Sequence, residues 1–210
     1  MKYIRYNTGL FLDWLKNARK ASYGADQEGQ RFTDPGPVIL AGAALRMSCE
    51  KPYFTSPTYL HQQERADWQQ VQPEMRRFSA QFIERLRLRS LPFYAHSAFR
   101  TQSEQRALYD KGVSKTKYPY AAHCQGAAVD IVHSRYHWLL DKTEWDYVGK
   151  VGKDLAHNLG IDITWGGDWK FYDPAHWELT GWKDRVNPHI QSGLPIRKTA
   201  KRLLRENPNP

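Results

Sequence analysis

The clearest hydrophobic pattern in the chain runs from Pro73 to Arg89. Met75, Phe78, Phe82, Ile83 and Leu86 recur at helical spacing and predict an amphipathic helix. Arg76, Arg77, Arg85, Arg87 and Arg89 make that helix strongly basic, and a solvated basic face is the plain reading of the charge. Past Pro92 the period changes to that of a strand in FYAHSAFRT, and TQSEQRALYDKG then reads as a capped helix ending at Gly112. AAHCQGAAVDIV, residues 121 to 132, is small and apolar and predicts a strand from Ala127 to Val132, entered at a Gly126 turn. Glu144 to Leu159 carries a second amphipathic stripe (Trp145, Val148, Val151, Leu155, Leu159), with Gly160 just past its end as a left-handed cap. IDITW then reads as a short strand, GGDWKFYD as a loop and HWEL as a strand. Strands interspersed with helices predict an α+β domain over about residues 75–185.

The flanks are less regular. Leu10, Phe11, Trp14, Leu15 and Ala18 predict an N-terminal helix, followed by a TDPGP loop. Residues 1–74 are therefore expected to form an extension to which no function is assigned. Residues 186–210 are expected to form a basic tail, with a short helix in IRKTAKRLLRENPNP.

Composition narrows the class. Hydrophobic content of 40% and charged content of 25% are globular values, which excludes a wholly disordered chain. A formal net charge of +9 favours an anionic partner, whether nucleic acid, lipid headgroups or bacterial wall polymer, without choosing among them. Two cysteines, Cys49 and Cys124, are too few for a disulfide scaffold and form no paired zinc-knuckle motif. The N-terminus lacks a secretory signal, and the longest apolar run, Val38 to Leu45, is far too short to span a membrane. The expectation is a soluble protein made in the cytoplasm, which another agent must deliver to any target outside the membrane.

Candidate chemistry begins with His123 and Asp130, two polar residues in a run otherwise suited to a core. A carboxylate there is costly unless paired. Fully extended, the seven intervening steps would hold the two groups more than about 20 Å apart. A turn at Gly126 allows His123 to fold back, and the small Ala127 and Ala128 leave room for close approach. A converging imidazole and carboxylate suit a divalent cation, and zinc takes both at about 2.0–2.2 Å. DPAHWEL, residues 173–179, supplies a third ligand. Asp-Pro favours a type I turn that brings Asp173 and His176 to one side. Two histidines and one carboxylate leave a fourth position for water, the catalytic rather than structural pattern, with Asp173 beside it as general base.

The spacing His123-x2-Gly126-x-Ala128-x-Asp130, followed by Asp173-x2-His176, resembles that of the zinc D,D-peptidase and L-alanyl-D-glutamate endopeptidase family. That family includes VanY-type carboxypeptidases and phage endolysins and shares a fold with the hedgehog signalling domain. SAFRTQSEQ is similar to the family's S-G-Y-R-[ST]-x3-Q segment, and TWGGDWKFYDPAHWEL to the W-G-G-D-W…D-x-P-H-F-E region of its endolysin-type branch. Together these stretches cover about residues 92–182. The resemblance implies a small central antiparallel sheet flanked by helices. It also implies zinc (Zn2+) bound by His123, Asp130 and His176, Asp173 as general base and Arg100 as the cation that steadies a developing oxyanion or binds substrate. Gln105 falls on the family's glutamine. Glu178, two residues after His176, is expected to accept a hydrogen bond from a ligand or from substrate. Ala121 and Cys124 stand where the family usually has Ser and often Asn, and DPAH shifts the proline by one.

Other readings are plainer. Cys124 is expected to be a small buried thiol, because adjacent residues in extended chain face opposite ways and cannot pair with His123 as nucleophile and base. His133 and His137 have i, i+4 spacing but lack the glutamate of a zinc-helix motif, and are expected as exposed loop histidines. Trp165, Trp169 and Trp177 are core or groove walls, Trp169 being the best groove candidate, and Asp168 is structural.

The expected function is zinc-dependent hydrolysis of bacterial peptidoglycan peptides. L-Ala–D-Glu cleavage is favoured and D,D-carboxypeptidase action is the alternative within the same class, in a phage or prophage lysin acting on the wall after release through a pore or from a virion. No stable protein partner is implied, and nucleic acid is a weaker candidate partner. A different class, a basic binding or virion structural protein with a merely architectural zinc, remains the alternative.

Overall fold

The computed structural model describes residues 46–184 together with residue 44. The expected helix at residues 10–18, most of the Val38–Leu45 run and the basic tail from 186 lie outside these residues. The ordered elements are α1 (Pro57–Gln63), α2 (Pro73–Leu88), β1 (Phe93–Ser97), α3 (Gln102–Asp110), β2 (Ala128–His133), α4 (Lys142–Leu159), β3 (Ile163–Trp165) and β4 (His176–Leu179). The strands form one antiparallel sheet in the order β1-β2-β4-β3, so the fold is α+β as expected. No helix among the described residues is long and apolar enough to cross a membrane.

One face of the sheet is sealed by α2 and α4. Phe78 and Phe82, from the predicted stripe of α2, meet Trp177 of β4 with ring centroids 5.4 and 4.9 Å away. Helix α4 needs glycine where it crosses the sheet. A Cβ on Gly149 would lie 2.4 Å from the Trp165 ring, and one on Gly152 would lie 2.2 Å from that of Trp177. Trp165 and Trp177 are therefore core residues, stacked 5.7 Å apart. Helix α4 starts two residues before the predicted Glu144, because Asp141 caps it and Glu144 closes a reciprocal capping box. Thr101 and Glu104 do the same for α3.

The core reaches upstream of position 75. Met47 and Val71 belong to the same buried cluster as α2 and the sheet. In α1, Tyr59 donates its hydroxyl to the Phe93 carbonyl (3.3 Å) and Gln62 donates to that of Ser134 (3.0 Å). His133 corrects an expectation. It is 1% exposed rather than a loop histidine, and its Nε2 donates to the Met47 carbonyl at 2.8 Å. Its Nδ1 accepts from the backbone N–H of Arg135 and Tyr136 (3.2 and 3.1 Å). His137 is exposed, as expected.

Candidate metal centre and its neighbours

The expected reversal before β2 is a 3-10 turn, Ala122–Gln125, ended by Gly126 with φ of +61°. Only glycine suits that position twice over. The dihedral is left-handed, and a Cβ would fall 1.9 Å from the Gln70 carbonyl oxygen. The turn swings His123 back over Asp130, and the Nε2–Oδ1 distance is 3.2 Å. Strand pairing supplies the rest, since Asp130 of β2 lies opposite His176 of β4. His176 Nδ1 is 3.1 Å from the same Asp130 oxygen. Ligand atoms of His123, Asp130 and His176 all lie within 4.8 Å of one another.

The outer contacts fix which nitrogen carries the proton. His123 Nδ1 sits 2.7 Å from the Ala98 carbonyl, which can only accept, so Nδ1 carries a proton and Nε2 is the nitrogen turned toward Asp130. In the neutral ring that nitrogen and Asp130 Oδ1 both offer lone pairs, an arrangement that a cation between them would satisfy. His176 places its other nitrogen, Nε2, 3.1 Å from Glu178. An Nε2–H held there leaves Nδ1 free to ligate, the pattern in which an outer carboxylate orients a metal-binding imidazole. A buried donor set of two imidazoles and one carboxylate fits zinc.

Without a cation the same atoms hold a proton. Burial disfavours imidazolium at His176, but hydrogen bonds to Asp130 and Glu178 overcome it and raise its pKa to about 9. Burial also works against ionised Asp130, yet the charges and hydrogen bonds of His123 and His176 keep its carboxyl well below the usual range.

Asp173 occupies the predicted turn. The His176 N–H donates to its carbonyl at 3.1 Å, and its own N–H donates to the Gly166 carbonyl at 3.1 Å. Burial, and then the negative charge of Asp130, raise the Asp173 carboxyl above its ordinary value. That makes it a better proton acceptor than a free aspartate.

Arg100 approaches from the other side, with Nη2 3.6 Å from Asp130 Oδ2 and 3.3 Å from the Ser97 hydroxyl. Its Nη1 donates to Gln105 Oε1 at 3.0 Å. Gln105 is 0% exposed and in turn donates to the Ser114 hydroxyl and the Thr116 carbonyl. It therefore holds Arg100 and has no surface on which to meet a substrate. The backbone N–H of Arg100 also donates to the His123 carbonyl at 3.2 Å. Trp169, half-buried, lays its ring 5.1 Å from that of His176, tilted by 43°.

Asp168 is exposed and pairs with Lys153 at 3.1 Å. Cys124 is fully buried and burial pushes its thiol up to about 11, which suits the quiet role expected of it. Two contributors had no clear signal in the sequence. The Ala98 carbonyl is backbone, and Ser97 owes its place to a register irregularity in β1.

A family model described as phage L-alanyl-D-glutamate peptidase matches residues 58–191. The crystal structure of Serratia marcescens L-Ala D-Glu endopeptidase ChiX is similar at 28% identity, over 58% of this chain and 89% of that one, with a TM-score of 0.46. No curated protein matches. The family model covers well over half of the chain and spans every group just described, so the protein belongs to the phage L-alanyl-D-glutamate peptidase family.

Proposed function

We propose that this protein hydrolyses the L-alanyl–D-glutamate bond of bacterial peptidoglycan, using zinc held by His123, Asp130 and His176. The observation that carries the reading is the meeting of those three ligand groups, with the Asp173 carboxyl in their field and Arg100 against Asp130. When bound, zinc supplies Lewis acidity to a water and to the scissile carbonyl.

The remaining work falls to the chain. Asp173, made more basic by burial, takes the proton from the attacking water and returns it to the departing amine, whose carbon–nitrogen bond breaks as the new carbon–oxygen bond forms. Arg100, fixed by Gln105 and Ser97, faces the negative charge that builds on the carbonyl oxygen, where a preorganised guanidinium is most effective. Glu178 and the Ala98 carbonyl keep His176 and His123 in their ligating orientations. Trp169 forms a wall beside His176. The excess of positive charge suits an anionic wall, and a phage lysin is the setting that the family suggests.

The test is digestion of purified peptidoglycan with zinc-loaded protein, with new amino termini identified by mass spectrometry. New D-glutamate amino termini, absent with Asp173→Ala, are expected. Release of D-alanine alone would replace this bond with the D,D-carboxypeptidase alternative. Equal digestion by wild type and Asp173→Ala would end the catalytic assignment, and binding without cleavage would favour an architectural metal.

A further inference from the structure

The sheet face that bears Asp130 and His176 continues to the β1 edge, where side chains outside the catalytic scheme gather. Tyr94 pairs with Val132, two residues from Asp130, so both lie on that face. His96 follows Tyr94 by two, and their rings are 6.2 Å apart. The irregularity between Ala95 and Ser97 then brings Ser97 opposite Asp130, which sets His96 one residue from the register position of a metal-site carboxylate.

His96 is half-buried and meets Trp138 edge-on, with centroids 4.6 Å apart at 75°. Its backbone carbonyl accepts from Arg65 Nε at 3.2 Å, which anchors an exposed guanidinium beside it. Among the described residues, no hydrogen bond occupies either ring nitrogen of His96 or the terminal amino groups of Arg65. Burial, and then the positive charge of Arg65, pull the His96 pKa down to about 4, so the ring is a neutral donor and acceptor at neutral pH. The other charged or titratable groups in its field are Asp130, His137 and Arg100. Arg100 is already engaged by Gln105, Ser97 and Asp130. An unused imidazole N–H, an unused guanidinium edge and an aromatic wall beside a hydrolytic centre are the parts of a carboxylate site.

On the reading under Proposed function, the residue on the leaving side of the scissile amide is glutamate. It carries a carboxylate on the carbon bonded to the departing nitrogen, within a few bonds of the metal. We propose that His96 and Arg65, walled by Trp138, bind this carboxylate and thereby distinguish free glutamyl substrate from substrate amidated at that position. The inference rests on the L-Ala–D-Glu assignment and adds the group that sets its substrate preference.

The test compares kcat/KM of the zinc-loaded enzyme on a soluble L-Ala–D-Glu-containing stem peptide and on its isoglutamine counterpart. Wild type is expected to favour the carboxylate about tenfold or more, the effect of one charge-assisted hydrogen bond or two. In Arg65→Ala and His96→Ala that ratio is expected to fall toward one, chiefly through KM for the acidic peptide. Arg65 is exposed, so its replacement spares the fold, which circular dichroism checks. An unchanged ratio in both variants, or a wild type indifferent to amidation, overturns the inference. A binding arm separates it from the assignment of the bond. The dipeptide L-Ala–D-Glu is titrated into zinc-loaded Asp173→Ala protein, which leaves it uncut, while the His96 ring protons are followed by NMR. A shift that Arg65→Ala abolishes supports the subsite even if the stem peptides are cut elsewhere. No shift at saturating dipeptide overturns it whatever bond is cut.

Discussion

Metal binding at the His123–Asp130–His176 cluster is expected to expel a proton. In the metal-free protein His176 is raised to about 9, because Asp130 and Glu178 flank its two nitrogens. At pH 7 the ring is then almost wholly imidazolium, whereas ligation through Nδ1 requires that nitrogen bare. Titration of zinc into metal-free protein, in two buffers of different ionisation enthalpy, is expected to show release of close to one proton per metal at pH 7. The sign follows from the raised pKa. Protons compete below about 9 and cease to compete above it, so apparent affinity rises with pH and then levels. Between pH 7 and 9 the change is about fiftyfold, or roughly 2.3 kcal/mol. Glu178→Gln removes one of the two flanking carboxylates. It is expected to lower the proton count and to weaken metal binding about 10–100-fold. Tight stoichiometric binding at pH 7 without proton release would refute the reasoning, since His176 would then be neutral beforehand or not a ligand.

Two further outcomes follow from other parts of the fold. His133 has a folded pKa lowered to about 4, by burial first, and both nitrogens are satisfied in the neutral form. A depressed histidine contributes stability present above its unfolded pKa and lost as pH falls toward the folded value, here from about 6.5 to about 4. Urea unfolding of the metal-free protein across that window is expected to show a loss of up to about 3 kcal/mol, reduced in a His133→Gln variant; equal pH dependence in the two would refute it. Gly126→Ala is expected to cost at least about 1–2 kcal/mol for the left-handed dihedral alone. The clash with Gln70 adds to that, and the variant should lose metal affinity because the same turn aims His123. Denaturant midpoints and zinc titration check both, and a variant that keeps wild-type zinc affinity would show that the turn does not place the ligand.

The parts of this molecule legible in its sequence are those with a local cause. The α2 and α4 stripes, the strand alternation of β1 and the Gly160 cap each follow from a few neighbouring residues. The candidate ligands also stood out, because polar groups in an apolar run require a partner. Their meeting was only implied. It depends on β2 pairing with β4 in one register, so that Asp130 faces His176 across 46 positions of sequence. His133 shows the opposite failure. Its spacing to His137 invited a local reading, while its environment is set by the Met47 carbonyl 86 positions away. Gln105 was legible as a family position, but its job of bracing Arg100 depends on a loop, Ser114 to Thr116, whose path no local pattern announces.

His123 and the 98–100 segment grip each other twice, through the Ala98 carbonyl and the Arg100 N–H. The chain leaves this clasp at Thr101, makes helix α3 and its following loop, and returns to it at His123. Because both ends are pinned, lengthening the excursion between them costs little, as closure entropy grows only slowly with length. Gln105, with its two partners, reaches back to Arg100, and the Pro119 carbonyl accepts from Gln125 in the turn that carries His123. The rest is a tethered bay in which insertions and side-chain changes can accumulate while the hydrolytic groups stay in alignment, and so a natural place for one scaffold to diversify among walls of different chemistry.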